Sequence, residues 1–308
     1  NGVPAHEISL AEKLTSKNKL QMYCQNLLGY RPDFVFTHVT RLVPSKGLWR
    51  DLRVLEQIEE KFRQNGKTGV FFVLSTEVSQ RRSYDIYSME SQYNWPVAHM
   101  QGWPDLSGGE AAFYTKVQQF NARSRNIKII FVNQFGFEPR LCGKRMPKDM
   151  QFMDIRKGTD VEFGQSIYEP FGISQLESLT FGGLCVLSNA CGCTGFINDT
   201  SKSSNGHNII ITNYTNLDLC LKDKAGLGKS AGIEDLLQTD SSVLEQIEEN
   251  ESSKVAKQIV GQLTQDTQEI ENMLQNGYAL AKNMSWDAVL KNYLLPSLEG
   301  LVEVVHST

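Results

Sequence analysis

The stretch "DVEFGQSIYEPFGISQLESLTFGGLCVLSN", residues 160–189, decides the fold that this sequence predicts. It opens on a faint strand candidate and passes through a Pro-Phe-Gly turn into an apolar-patterned run that predicts a short helix over residues 174–181. It ends on a second apolar strand. Glu169 stands directly before the turn, and Glu177 lies within the predicted helix. Strand, turn, helix and strand in this order are typical of a parallel α/β sheet.

Short apolar runs rich in β-branched and aromatic residues recur along the rest of the chain. Together they predict strands over residues 33–39, 69–74, 127–132, 160–166, 184–189 and 208–212. Several are apolar on both faces, as strands buried in a parallel sheet are. Helical spacing falls between them, over residues 47–64, 110–125 and 147–157. The alternation predicts an α/β fold with a Rossmann-like doubly wound parallel sheet.

The whole chain, residues 1–308, is interpreted as a single domain with insertions. The predicted parts are a leading segment with a helix (1–30), a core (31–221) and C-terminal helices (254–308). The helical patterns there cover residues 253–284 and 286–301, with a break near Pro296. One insertion, residues 75–109, is polar, carries aromatic side chains and shows no clear period. The other, residues 222–253, is acidic and rich in Ser and Gly.

Composition excludes some classes of function. A net charge of −4 and the lack of a basic stripe argue against a nucleic-acid partner. No run of eighteen apolar residues occurs, so no membrane span is predicted. Six cysteines scattered through a chain of this size suit reduced thiols in a cytoplasmic protein better than a disulfide framework.

The first group of candidate site residues is in "THVTRLVPSKGLWRDL", residues 37–52. A buried strand ends there, Arg41 and Lys46 follow in the loop, and Gly47 opens the next helix. Ligands bind at the carboxyl ends of parallel strands, and helix N-termini attract phosphate. The planar fork of Arg41 and the ammonium of Lys46 together suit a diphosphate. The alternative is a pair of solvated cations on an ordinary loop.

The second group surrounds the Pro-Phe-Gly turn. Glu169 follows a strand, and the amides of Ile173 and Ser174 could hold an anion or a sugar hydroxyl at the start of the predicted helix. Glu177 lies within reach of the same ligand. The alternative is a loop carboxylate and a helix-dipole partner that contributes a few tenths of a kcal/mol.

A third motif is rejected. "DKAGLGKS", residues 223–230, nearly matches the phosphate-binding G-x-x-x-x-G-K-[ST] loop, but Asp223 replaces its first glycine and no buried strand precedes it. No His/Cys group has metal-ligand spacing, so no metal site is predicted.

Together these segments resemble the donor-binding, C-terminal half of a retaining GT-B glycosyltransferase, of the group 1 and glycogen or starch synthase type. "TRLVPSKGL" is similar to that family's "GRL…KG" element, and "YEPFGISQLESLTFGGLCVLSN" to its E-x-F-G segment with a second glutamate eight positions on. "NGV" at the start resembles the end of the interdomain linker, and "MSWDAVLKNYL" the closing tryptophan-bearing helix.

The resemblance implies a role for each site residue. Arg41 and Lys46 would bind the diphosphate of a nucleotide sugar and stabilise the departing phosphate, Glu169 would hold donor-sugar hydroxyls, and Glu177 would accept hydrogen bonds from the ribose. The remaining donor-binding residues would be Phe171, Gly172, Ile173 and Ser174. Transfer in this family retains anomeric configuration and needs no metal or other cofactor.

The donor would be a UDP-, ADP- or GDP-hexose, and "GISQ" favours glucose. Because the chain begins at Asn1 and at the linker-like "NGV", the acceptor-binding N-terminal domain is expected to be missing and the chain alone to be inactive. Two alternatives stay open: a GT-B phosphorylase or epimerase, and a non-catalytic module that binds a sugar nucleotide.

Overall fold

The computed structural model describes residues 2–75, 80–134, 136–200, 208–215 and 240–298. Within these residues six strands form one sheet: β1 (Phe34–Thr40), β2 (Gly69–Ser75), β3 (Ile127–Val132), β4 (Val161–Gly164), β5 (Leu184–Ser188) and β6 (Ile209–Thr212). Their order is β3-β2-β1-β4-β5-β6, and every neighbouring pair is parallel. The prediction of a doubly wound parallel sheet is confirmed.

Helices occupy most of the connections between these strands. They are α1 (Leu10–Leu28), α2 (Leu48–Asn65), α3 (Ser83–Tyr93), α4 (Gly109–Arg123), α5 (Pro139–Cys142), α6 (Phe152–Gly158), α7 (Gly192–Thr200), α8 (Ser241–Gln262), α9 (Thr267–Asn283) and α10 (Trp286–Val289). Shorter 3₁₀ segments lie at Pro44–Lys46, Ile173–Leu176 and Leu179–Phe181, and a π-helical segment at Leu290–Leu294.

Both faces of the sheet are covered, and successive strand residues alternate between two cores. Phe36 and Phe71 pack with α2, α4 and α8 on one face, whereas Val35 and Phe72 pack with α1, α3 and α6 on the other. This alternation follows from the two-residue period of a strand. The strands are therefore continuous apolar runs in the sequence.

The helix predicted over residues 174–181 is wrong. The structure has two 3₁₀ segments there, and both Leu176 and Leu179 are buried. Because 3₁₀ geometry places residues three apart on one face, these two leucines share the core side of the turn. The connection from β4 to β5 is thus a tight turn that contains no α-helix.

The C-terminal helices also differ from the prediction. Residues 253–284 are not one helix, because α8 ends at Gln262 and Asp266 caps a new helix with a hydrogen bond from Glu269 N to Asp266 Oδ1 of 3.0 Å. The predicted break near Pro296 is absent from residues 286–298, where helix continues through the proline. The π-helical segment directly precedes the proline, and Leu295 N–H is bonded to Leu290 O. The hydrogen-bond pattern of the helix has therefore already changed before Pro296, which has no N–H to donate.

The insertion predicted without regular structure at residues 75–109 contains α3. Its helical period is weak because α3 buries only Asp85, Ile86 and Met89. Buried Trp95 holds the segment to the sheet through a 3.0 Å hydrogen bond from Nε1 to Asn133 Oδ1. In the second predicted insertion, residues 241–253 belong to α8, and residues 222–239 lie outside the described ranges.

Candidate functional site at the carboxyl edge of the sheet

The chain changes direction between the two central strands, β1 and β4. From β1 it runs through β2 to β3 on one side, and from β4 it runs through β5 to β6 on the other. The connections that leave β1 and β4 therefore diverge, which opens a crevice outside their carboxyl ends. In open parallel sheets this switch point is where ligands bind. The two predicted groups of site residues follow these two strands.

The loop after β1 presents the predicted cations. Arg41 is exposed, and its guanidinium has no hydrogen bond or ion pair with any residue that the structure describes. Lys46 ends the 3₁₀ segment, and its Nζ contacts Glu169 Oε2, although the two residues are 123 positions apart. Gly47 then turns the chain into α2 with a φ of +66°, a value that favours glycine.

Polar contacts tie the loop after β4 to the loop after β1, to α2 and to the segment after β6. Ile167 N donates to Ser45 O at 2.8 Å. Buried Gln165 donates from Nε2 to Asp51 Oδ1 at 2.8 Å, and its Oε1 accepts from Tyr214 Oη at 2.7 Å. The loops after β1 and β4, which form the two walls of the crevice, are thus held in one arrangement.

The Glu169 segment also pairs with the start of α7. Gly192 N donates to Glu169 O at 2.9 Å, and Cys193 N donates to Phe171 O at 3.0 Å. A Cβ on Gly192 would lie 1.9 Å from the carbonyl oxygen of Pro170, so only glycine permits this approach. The backbone of Glu169 is therefore fixed on both sides, and its carboxylate is left to face Lys46.

Gly172, Ile173 and Ser174 form the turn that follows. Gly172 has a φ of +87° and begins the four-residue 3₁₀ segment. The turn presents amide groups toward its open end, but a segment this short develops little of the macrodipole that an α-helix would supply. The turn therefore attracts an anion less strongly than the helix N-terminus that the sequence predicted.

Glu177 is held by Arg156, which the sequence did not predict as part of the site. Its Oε2 accepts from Arg156 Nη2 at 2.7 Å, and Arg156 Nη1 donates to Glu162 Oε2 at 2.9 Å. Burial alone lowers the pKa of Arg156, but the carboxylates of Glu162 and Glu177 outweigh it and hold that pKa above its ordinary value. The feature of the sequence that could have indicated this buried ion pair is Glu162, a carboxylate inside an otherwise apolar strand.

Other sequence-level candidates have no counterpart here. The rejected motif at residues 223–230 lies outside the described residues, as does Cys220; the other five cysteines are buried free thiols. In the part of the chain that the structure describes, no three His, Cys, Asp or Glu side chains are grouped to hold a metal ion. No helix in those ranges is long and apolar enough to cross a membrane.

A parallel sheet in this order, with its switch point between β1 and β4, defines the class of Rossmann-like folds. No protein-family model matches the sequence, and no curated protein sequence matches it.

Solved structures match the fold over nearly the whole chain. One is trehalose-6-phosphate synthase from E. coli bound with UDP-2-fluoro glucose: TM-score 0.50, 13% identity, 94% of this chain and 50% of that one. Another is α,α-trehalose 6-phosphate synthase from Burkholderia multivorans: TM-score 0.50, 11% identity, 96% of this chain and 48% of that one. The chain therefore has the fold of the GT-B glycosyltransferases, and it spans about half the length of these proteins.

Proposed function

We propose that this chain carries the nucleotide-sugar donor site of a retaining glycosyltransferase that transfers a hexose. The observation that carries the proposal is the contact between Lys46 and Glu169 across the β1/β4 switch point. A cation for the diphosphate and a carboxylate for the sugar are brought together there from residues 123 positions apart. The GT-B fold and the nucleotide sugar held by one of the matching structures support the same conclusion.

Each side of the pair has a part in the reaction. Lys46 and Arg41 would bind the diphosphate and stabilise the negative charge that develops on it as the bond to the sugar breaks. Glu169 would accept hydrogen bonds from the sugar hydroxyls and orient the reacting carbon. In the structure Lys46 is paired with Glu169, so donor binding would exchange that pair for contacts from Lys46 to phosphate.

The rest of the donor lies along the turn after Glu169. The amides of Gly172, Ile173 and Ser174 would contact the phosphates or sugar, Phe171 would line the site, and Glu177 would accept from the ribose. Glucose is the favoured sugar, and UDP, ADP and GDP are the candidate nucleotides. The transfer is proposed to need no metal. The scattered thiols support a cytoplasmic location.

An acceptor would bind to a second domain across the crevice. The chain covers about half the length of each of these matching structures, which supports a site completed by a further domain. The donor half alone would bind a nucleotide sugar but transfer it to no acceptor. Turnover by this chain at the rate of a complete transferase would contradict that part of the proposal.

Calorimetric titration with UDP, ADP and GDP, and with their glucose forms, tests the proposal. Replacing Arg41 with alanine removes hydrogen bonds to phosphate of about 1.5–3 kcal/mol, so the affinity should fall roughly ten- to a hundredfold. Arg31 is an exposed arginine just before the amino end of β1, away from the crevice. Arg31→Ala is the matched control, because it removes the same charge there. Binding of none of the three nucleotides, or equal effects of both substitutions, would refute the proposal.

A further inference from the structure

Arg156 is the most buried cation next to the proposed donor site. It belongs to α6, which connects β3 to β4 in the sequence, and its side chain is 1% exposed. Its guanidinium donates to the carboxylates of Glu162 and Glu177 and to the carbonyl oxygen of Ser174. One side chain therefore braces both ends of the turn over residues 174–177.

The inner partner of Arg156 is fixed by the sheet. Glu162, also 1% exposed, lies on β4 and accepts hydrogen bonds from the hydroxyl of Thr37 and from Val39 N at 3.2 Å, both on β1. The planar guanidinium can bind two carboxylates only in a defined plane, so a fixed Glu162 also fixes the direction of the other prong.

The outer partner is different, because Glu177 is 32% exposed. Its Oε2 receives the hydrogen bond from Arg156, while its Oε1 has no hydrogen-bond partner among the residues described. One oxygen is anchored in the protein and the other is available at the surface of the crevice. A carboxylate held in this way loses its rotamer freedom before a ligand arrives.

We propose that Arg156 is a positioning residue that orients Glu177 to accept a hydrogen bond from the ribose hydroxyls of the bound nucleotide. This inference rests on the proposed function, since it assigns the mechanism by which that site selects ribose. It predicts a preference for nucleoside diphosphates with a 2′,3′-diol over their 2′,3′-dideoxy counterparts. That preference depends on a residue that does not touch the ligand.

The test is the ratio of dissociation constants for the ribo and 2′,3′-dideoxy forms of the nucleoside diphosphate that the wild-type chain binds best. The wild-type ratio should be roughly ten- to a hundredfold, as expected for hydrogen bonds to a charged group. Glu177→Gln should reduce it to a few-fold. Removing Arg156 should reduce it equally, and removing both should have no further effect, because the two residues act as a unit.

Arg156→Met alone would leave Glu162 without its partner in the core, so the substitution is combined with Glu162→Gln to leave the net charge of the site unchanged. Arg156→Lys is the second variant, which retains the charge but loses the two-pronged fork, and should lower the ratio as well. The matched control is Lys17→Met, which breaks the 2.8 Å ion pair to Asp160 just before the amino end of β4. That pair is also largely buried, so its loss should lower stability but leave the ribose preference unchanged.

The outcomes separate the two proposals. A ribose preference that persists in the Arg156 variants, or in Glu177→Gln, overturns this inference while the donor site stands. A preference that falls equally in Lys17→Met overturns it too, because loss of stability alone would then explain the change. If the wild-type chain binds no nucleoside diphosphate, the proposed function itself is refuted.

Discussion

Two glycines at opposite ends of α2 allow the geometry of the crevice to be tested directly. Gly47 and Gly66 have φ values of +66° and +64°, so alanine is strained to the same degree at both positions. Their surroundings differ. A Cβ on Gly47 would lie 2.4 Å from the carbonyl oxygen of Gln165, whereas a Cβ on Gly66 would meet none of the described atoms within 4 Å.

The expected difference follows from these contacts. Left-handed backbone costs alanine about 1–2 kcal/mol, and this cost is common to both substitutions. At Gly47 the obstacle is backbone, so the loop after β4 must move away from the loop after β1. The movement weakens the hydrogen bonds from Arg50 Nη1 to Gln165 O (3.1 Å) and from Ile167 N to Ser45 O (2.8 Å). Gly47→Ala should therefore be about 2–4 kcal/mol more destabilising than Gly66→Ala.

Urea denaturation followed by circular dichroism measures both free energies of unfolding, and titration with nucleoside diphosphate measures the consequence for the site. Gly47→Ala should also weaken binding, because the movement carries the neighbouring Lys46 away from the proposed diphosphate position; Gly66→Ala should not. Equal destabilisation by the two substitutions would show that the two loops do not meet as described. Unchanged binding in a folded Gly47→Ala variant would separate the site from this junction.

Two further predictions concern carboxylates. Glu169→Gln should strengthen binding of UDP, ADP or GDP without sugar by about tenfold, since Lys46 no longer has a competing partner. The same substitution should weaken the preference for the glucose form of the nucleotide. Equal changes in affinity for both ligands in calorimetry would contradict this prediction. Burial alone raises the pKa of Glu59, but hydrogen bonds led by Asn126 N outweigh it, so that pKa lies below its ordinary value of 4.5. Glu59 therefore stabilises the fold above that value and ceases to do so as pH falls through the lowered pKa. Glu59→Gln should cost about 1–2 kcal/mol at pH 7 and little once the pH is well below the lowered pKa, and a cost independent of pH would refute the assignment.

The sheet could be predicted from the sequence because its strands are apolar on both faces and short. The run "IKIIFV" at Ile127–Val132 has no other stable placement than a buried strand, and its bounds were predicted correctly. The position of the candidate site followed as well, because Arg41, Lys46 and Glu169 come directly after predicted strands. Residues that follow the strands on either side of the switch point of a parallel sheet lie at the same edge, which places these three together without any side-chain information.

What the sequence did not predict depends on contacts between distant residues. Arg156 falls near the end of the helix predicted over residues 147–157, and only its ion pair with buried Glu162 on β4 shows that it lies in the core. The 3₁₀ segments after Gly172 bury both Leu176 and Leu179, a spacing that suits an α-helix equally well and so could not reveal the difference. Local helical spacing carries no information about how closely two loops approach.

Hydrogen exchange with and without nucleoside diphosphate tests the central claim most directly, since it locates binding without any substitution. Protection should appear together over residues 41–47 and 167–177, the two walls of the crevice at the β1/β4 switch point. The cavity of about 540 Å³ lined by residues of α8 and α9, such as Gln262 and Asn276, should exchange as before. Protection confined to that cavity, with both walls of the crevice unchanged, would contradict the account.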